Sequence, residues 1–211
     1  MLYITYINKI RKIYLEYIYN IINGVIYYYK FSIMTNYQFK NTAVYPGSFD
    51  PVTFGHIDIL KRSLNIFDKV IIAVACNKKK PYLFGQDERV KLIRDTIADI
   101  NEIDGGRVEV VALKGLLVKF VESINARVII RGLRVVSDFE YELQLATTNR
   151  TLNPDIETIF MMTAEKYSFL SSTIVREISL LGGDVSSMVP LVISEELQKL
   201  YSKGDYDETL M

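Results

Sequence analysis

Five short apolar runs alternate with five segments of helical spacing between residues 42 and 183, and no other feature narrows the fold so far. KVIIAVAC (69–76) is apolar without alternation and rich in β-branched residues. Such a run suits a strand buried on both faces, as in a parallel sheet. TAVYPG (42–47), cut by Pro46-Gly47, RVEVVAL (107–113), RVIIRG (127–132) and ETIFMMT (157–163) read as the other strands. In GHIDILKRSLNIF (55–67) Ile57, Leu60, Leu64 and Phe67 recur at helical spacing. QDERVKLIRDTI (86–97) opens with acids that complement a helix dipole. LLVKFVESI (116–124), DFEYELQLATTNRTL (138–152) and SSTIVREISLLGG (171–183), the last closing at glycines, complete the set. A final helix is expected over residues 194–203, capped by Ser194. Short connections throughout predict a Rossmann-like, doubly wound α/β fold: a five-stranded parallel sheet with flanking helices. Ligands of such sheets bind beyond the carboxyl ends of the strands.

Acidic and basic residues balance at 25 each, so no global field recruits nucleic acid or an anionic membrane. One histidine and one cysteine come close to excluding a His/Cys zinc site. Cys76 has no partner for an internal disulfide and fits a reducing compartment. Residues 1–33 differ from the rest. They hold more than half of the tyrosines, four basic residues (Lys9, Arg11, Lys12, Lys30) and one acid, Glu16. A membrane-anchoring helix there would be interrupted by Glu16, Asn20, Asn23 and Gly24. A targeting peptide would carry more arginine and serine and a small-residue cleavage site. We therefore expect residues 1–33 to be an N-terminal extension outside the fold, with Met34 as the natural start, and one domain over residues 34–211.

The strand ends carry PGSFDPVTFGH (46–56), NKKKP (77–81), KGLL (114–117), RGLRVVSDFEYE (131–142) and AEKYSFLSST (164–173). This inventory is short of general bases and rich in cations and hydroxyls, which suits a site that stabilises negative charge. Neither GxGxxG nor GxxxxGK(S/T) is present, so a phosphate would be held in another way. Each feature also has a plain structural role open to it. Lys78, Lys79 and Lys80 could form a solvated loop, Ser171-Ser172-Thr173 a helix cap, and His56 part of a packed core. Arg131 and Arg134 could be surface charges, and Asp50 beside Pro51 a turn former. Their convergence on one sheet edge favours a phosphate site instead, with the free N–H groups of the helix after residue 171 aimed at the anion. Gly55 is expected to let the backbone pass close to that phosphate.

GSFDPVTFGH, with Thr53-Phe54-Gly55-His56, resembles the first signature of the nucleotidyltransferases that carry an H/T-x-G-H motif. SFLSSTIVRE resembles their second signature. IIRGLRVVSDFEYELQLATTNRTL between them is similar to one family in particular, the bacterial phosphopantetheine adenylyltransferases. The resemblance runs from about residue 43 to about residue 201 without a large insertion. It implies a nucleotidyltransferase domain in which ATP and 4′-phosphopantetheine give 3′-dephospho-coenzyme A and pyrophosphate with magnesium, the penultimate step of coenzyme A synthesis. It implies that His56 contacts the ATP phosphates and stabilises the transition state. Ser48 then lies near the attacking phosphate and the α-phosphate, and Phe49 makes a backbone contact to the nucleotide. Lys79 binds the incoming phosphate, with Lys78 and Lys80 beside it as candidates for the same role. Leu117 contacts the pantetheine arm, and Arg131 stands on the pantetheine side. Gly132, Leu133, Arg134 and Glu142 stand on the ATP side. Tyr167, Ser168, Phe169, Leu170, Ser171, Ser172 and Thr173 form the loop that cradles the adenine and phosphates. The resemblance further implies a cytoplasmic homohexamer with neither nucleic acid nor membrane as a partner of the core domain, and magnesium held by the substrates' phosphates.

The residues support this chemistry in their own right. A phosphate monoester is largely dianionic near neutral pH, its second pKa being about 6, so the acceptor needs no protein base. The reaction needs two polyanions aligned and the leaving pyrophosphate neutralised. Two other readings stand beside it: an enzyme of the same superfamily acting on another acceptor, such as nicotinate mononucleotide, and a non-catalytic or membrane-tethered nucleotide-binding module.

Overall fold

The computed structural model describes residues 41–77 and 81–202. Residues 1–33, Met34 and the lysines 78–80 therefore lie outside the described residues. Five strands form one parallel sheet: β1 (Thr42–Gly47), β2 (Lys69–Val74), β3 (Val108–Ala112), β4 (Val128–Leu133) and β5 (Glu157–Met162). Their order is β3-β2-β1-β4-β5, so the winding reverses between β1 and β4. Val44 pairs with Ile71 on one side and Ile129 on the other, which fixes all three central strands in register. The helices among the described residues are α1 (Phe54–Leu64), α2 (Gln86–Asp99), α3 (Leu117–Ser123), α4 (Val136–Leu152), α5 (Ser172–Leu180) and α6 (Leu191–Ser202).

The period of two along each strand divides the core. Ala43, Tyr45, Val70, Ile72, Val74 and Ile130 pack with α1, α2, α5 and α6. Val44, Ala73 and Ile129 point the other way, with Val118 and Val121 of α3 and with Ala126 and Ile156. Burial on both faces is why these strands are apolar without alternation. The doubly wound sheet expected from the sequence is therefore present, and its switch point lies between the carboxyl ends of β1 and β4.

Two helix ends are instructive. The N–H of Gly183 bonds to the Ile178 carbonyl and that of Gly182 to Ser179, with Gly182 at φ +77°, so α5 closes at its glycines as read. The expected cap at Ser194 is wrong. α6 begins at Leu191, and the N–H groups of Ile193 and Ser194 both donate to the Pro190 carbonyl. Ser194 is buried in the first turn because Ile193 anchors that turn in the core. α4 buries none of its residues, and Val136, Tyr141, Leu143 and Leu152 stand exposed along it.

Candidate active site

His56 lies in the first turn of α1, directly beyond β1. The backbone N–H of Thr53 donates to its Nδ1 at 3.0 Å. That nitrogen therefore carries no proton in the neutral ring, and Nε2 carries it. Nδ1 also lies 3.0 Å from the Thr53 hydroxyl. Burial, and then the Arg134 charge, lower the imidazole from its ordinary value of 6.5 to about 4. The ring is thus a neutral Nε2–H donor in the free protein. Phe49 backs it edge-on, with ring centroids 5.0 Å apart, and itself meets Tyr45 at 5.3 Å. Phe49 sits at φ +49° and folds over Gly47, where a Cβ would come within 2.9 Å of its ring. Glycine at the end of β1 is therefore a requirement of this stack.

Arg131 within β4 and Arg134 just after it are each held by an acid of α4. Arg134 grips Asp138 with Nε and Nη2, at 3.1 and 3.0 Å, and reaches the Leu170 carbonyl at 3.3 Å with Nη1. Burial acts to raise the Asp138 carboxyl, but the Arg134 hydrogen bonds and charge outweigh it and hold the group below its ordinary value. Arg131 lies 3.2 Å from Glu142 and donates to the Pro46 carbonyl at 3.3 Å, bridging β4 to β1 across the switch point. The Arg131–Glu142 pair has ion-pair distance without hydrogen-bond alignment. Burial raises the Glu142 carboxyl against the pull of Arg131. Glu142, assigned by resemblance to the nucleotide, thus has Arg131 as its partner here.

The loop after β5 closes the site from the other side. Ser171 caps α5, accepting from the Ile174 N–H at 3.0 Å, and the Ser172 hydroxyl donates to the Pro51 carbonyl at 2.7 Å. The cap is the structural role the sequence left open; it takes up the Ile174 N–H, ahead of which stand those of Ser172 and Thr173. Thr173, Phe169 and Ser48 are exposed, Tyr167 and Ser168 partly so, and Leu170 is buried. Tyr167 stacks on Phe54 with centroids 6.2 Å apart. A Cβ on Gly55 would meet Thr53, Tyr167 and Thr163 at 3.6 to 3.9 Å, so this glycine lies against the β5 loop. Leu133 and Gly132 end β4, and the Leu133 carbonyl accepts from the Thr163 N–H at 2.9 Å. Leu117 opens α3 and packs on the second core cluster. Lys79 lies outside the described residues.

Asp50, read from the sequence only as a turn former, and two residues that the sequence did not single out, Asp58 and Arg89, tie these loops together. Asp50, 1% exposed, accepts from the N–H groups of Leu83 and Phe84 at 2.8 and 3.0 Å and pairs with Arg176 of α5 at 3.0 Å. It is a latch between three segments, more than a local turn former. Asp58 accepts from the Ala164 N–H at 3.0 Å and from Arg62, which also bonds the Met162 carbonyl, so α1 holds the start of the β5 loop. Buried Arg89 bonds carbonyls at the ends of β1 and β2. For Asp58 and Arg89 the one sequence signal is a charged residue inside an apolar helical pattern, because the contacts that tie the loops together cross 14 to 126 residues.

The cytidylyltransferase-like family matches residues 44–178. The phosphopantetheine adenylyltransferase of Caldanaerobacter subterraneus subsp. tengcongensis is 51% identical over 162 residues, covering 77% of this chain and 98% of that protein. That of Geotalea daltonii is 52% identical over 161 residues, covering 76% and 97%. Among solved structures, Plasmodium falciparum nicotinic acid mononucleotide adenylyltransferase complexed with NaAD is similar at TM-score 0.59 and 18% identity, covering 80% of this chain and 98% of that one. A putative nicotinate-nucleotide adenylyltransferase from Vibrio parahaemolyticus is similar at 0.58 and 22%, covering 81% and 98%. At those identities the two structures bear on the fold alone.

Proposed function

We infer the reaction from a premise and a geometry: the chain belongs to the phosphopantetheine adenylyltransferase family, and its crevice suits that chemistry. It transfers the adenylyl group of ATP reversibly to 4′-phosphopantetheine, giving 3′-dephospho-coenzyme A and pyrophosphate. An oxygen of the acceptor phosphate bonds to the α-phosphorus of ATP, and the bond from that phosphorus to the bridging β-oxygen breaks. The pyrophosphate leaves with the electron pair, and the dianionic acceptor has no proton to give up.

The observation that carries this reading is the state of His56. Its Nδ1 is occupied by the Thr53 N–H, so its Nε2–H is, among the described residues, a donor left for a ligand beyond β1, near Arg134. We assign it to the phosphate oxygens that gain charge in the transition state. Arg134, Tyr167 and residues 168–173 take the nucleotide, with Phe49, Gly132 and Leu133 supplying backbone and packing. Ser48, Lys79, Arg131 and Leu117 take the acceptor. Glu142 acts through Arg131, which it orients. Asp138 and Glu142 are engaged by arginines, which fits a reaction without a protein base.

Magnesium would enter with the ATP phosphates and offset their charge. Among the described residues no three His, Cys, Asp or Glu side chains come together to hold a metal, and Asp50 is fully engaged by its partners, so the phosphates would be its ligands. We place the enzyme in the cytoplasm; no helix among the described residues is long and apolar enough to cross a membrane. The exposed apolar side chains of α4 support assembly into a homohexamer through that face. Light scattering on wild type and on Tyr141→Glu/Leu143→Glu tests it: a hexamer reduced to smaller species is expected, and a monomeric wild type rejects it. The reaction is tested by pyrophosphate release with ATP and a panel of acceptors. Release with phosphopantetheine is expected; release with nicotinate mononucleotide instead would overturn the assignment.

A further inference from the structure

Arg89, in the first turn of α2, is 1% exposed, and its side chain is bonded to carbonyls alone. Its Nε–H donates to Phe84 at 3.0 Å, and its Nη1 donates to Ala75 at 2.9 Å and to Ser48. Its guanidinium carbon lies 4.2 Å above the Tyr82 ring, and the Tyr82 hydroxyl accepts from the Asn77 N–H at 2.8 Å. Nη2 is buried without a hydrogen-bond partner among the described residues. No carboxylate among them pairs with Arg89, and Asp50, which holds the same stretch, is engaged by Arg176.

A buried cation without a counter-charge is costly, and a packed apolar side chain would serve the fold at less cost. What the guanidinium adds is geometry. Its rigid fork joins three segments that leave the sheet at the same edge: the turn after β1 at Ser48, the end of β2 at Ala75, and the stretch before α2 at Phe84. Asp50 holds the same stretch from the other side through the Leu83 and Phe84 N–H groups. The Arg134–Asp138–Leu170 cluster lies across the switch point at the ends of β4 and β5.

We propose that Arg89 is the positioning residue of the acceptor half of the site. It locks the Ser48 turn against the end of β2 and leaves uncancelled positive charge beneath the acceptor phosphate. Being buried, it acts through Ser48 and does not touch substrate. The proposal rests on the reading above that the acceptor phosphate lies at Ser48.

The test compares Arg89→Lys, which keeps the charge but loses the fork, with Arg89→Met, which loses both. Calorimetric titration of 4′-phosphopantetheine and of ATP, each alone, reads two dissociation constants per variant, and melting curves report the fold. The expected result is a Kd for phosphopantetheine raised about tenfold in Arg89→Lys and more in Arg89→Met, on the scale of one charged hydrogen bond, with the Kd for ATP little changed. A purely structural role would lower the melting temperature and the active fraction while leaving both constants of the folded fraction alone. Equal changes for the two ligands, or none, in a folded variant would overturn the proposal. If Arg89→Met does not fold, Arg89→Lys alone carries the comparison. Turnover is not needed for this readout. A wild-type protein that binds both ligands and releases no pyrophosphate would reject the reaction, and the titrations would still decide on Arg89.

Discussion

Replacing His56 with glutamine separates a neutral donor from a charged one. The imidazole is pulled down to about 4 by burial and then by Arg134. At pH 7 the charged ring is then roughly one part in a thousand, and charging it costs about 4 kcal/mol. A reaction that began from imidazolium in the free enzyme would forfeit that amount. His56→Ala removes the Nε2–H and should lower kcat by at least about 10²-fold with ATP affinity largely kept, the scale of one preorganised stabiliser. His56→Gln restores an N–H near that place and should recover about tenfold of the loss, the worth of one hydrogen bond. The assay is steady-state pyrophosphate release at saturating substrates from about pH 5 to pH 8, a window that brackets the acceptor's second ionisation near 6. Wild type and His56→Gln should share one acid limb, set by that ionisation. A wild-type rate that climbs as pH falls through 6.5, in a way absent from His56→Gln, would refute the neutral-donor assignment.

The same shift has a stability signature. Unfolded, the ring takes its proton near pH 6.5; folded, near 4. Between those values the unfolded chain binds the extra proton. Stability present above 6.5 is therefore lost as pH falls toward 4, by at most about 3 kcal/mol. Substrate-free melting curves of wild type should lose this increment across that window, and those of His56→Gln should not.

Three further outcomes follow from the loops. Asp50→Ala strands Arg176 and two backbone N–H groups, and should cost about 3–5 kcal/mol, read as a fall of roughly 6–20 °C in Tm. Gly47→Ala brings a Cβ to 2.9 Å from the Phe49 ring. It should cost about 1–3 kcal/mol by overpacking and lower kcat through His56, so a variant with wild-type Tm and kcat contradicts that stack. Lys79→Ala should weaken phosphopantetheine far more than ATP in binding titrations; equal loss of both rejects its acceptor role.

Strand identity was legible because burial on both faces leaves a mark that survives in one sequence: KVIIAVAC has no polar face to show. The closing glycines of α5 were legible because Gly182 needs positive φ. The start of α6 was not, because Leu191, Val192 and Ile193 before Ser194 carry no capping signal, and what places them is the core against Ile193. The site divides in the same way. Residues that meet the crevice from adjacent positions of one motif, such as Thr53 and His56, could be read from their spacing. Asp50, Asp58 and Arg89 could not, because each is defined by carbonyl or amide partners on segments that only the folded sheet brings near. Glu142 was visible as an acid in DFEYE, but its tie to Arg131 depends on α4 lying beside β4.

The described crevice gains little from net charge. Arg131 and Arg134 each carry their own carboxylate, and His56 is neutral, so these five groups sum to zero when ionised. What they offer a polyanion is orientation: two guanidiniums with fixed planes, one Nε2–H, and the first amides of α5. Fixing donors in advance is also what a transfer between two repelling phosphates demands, since the cost of ordering has been met before substrate arrives. The pairing has a second consequence. With Asp138 and Glu142 of α4 engaged by arginines, neither of these carboxylates is placed to act as a base, which fits an acceptor that brings its own ionised oxygen. Among the buried residues described, Arg89 is the one cation, and it bonds the Ser48 turn, to which the proposal assigns the acceptor oxygen.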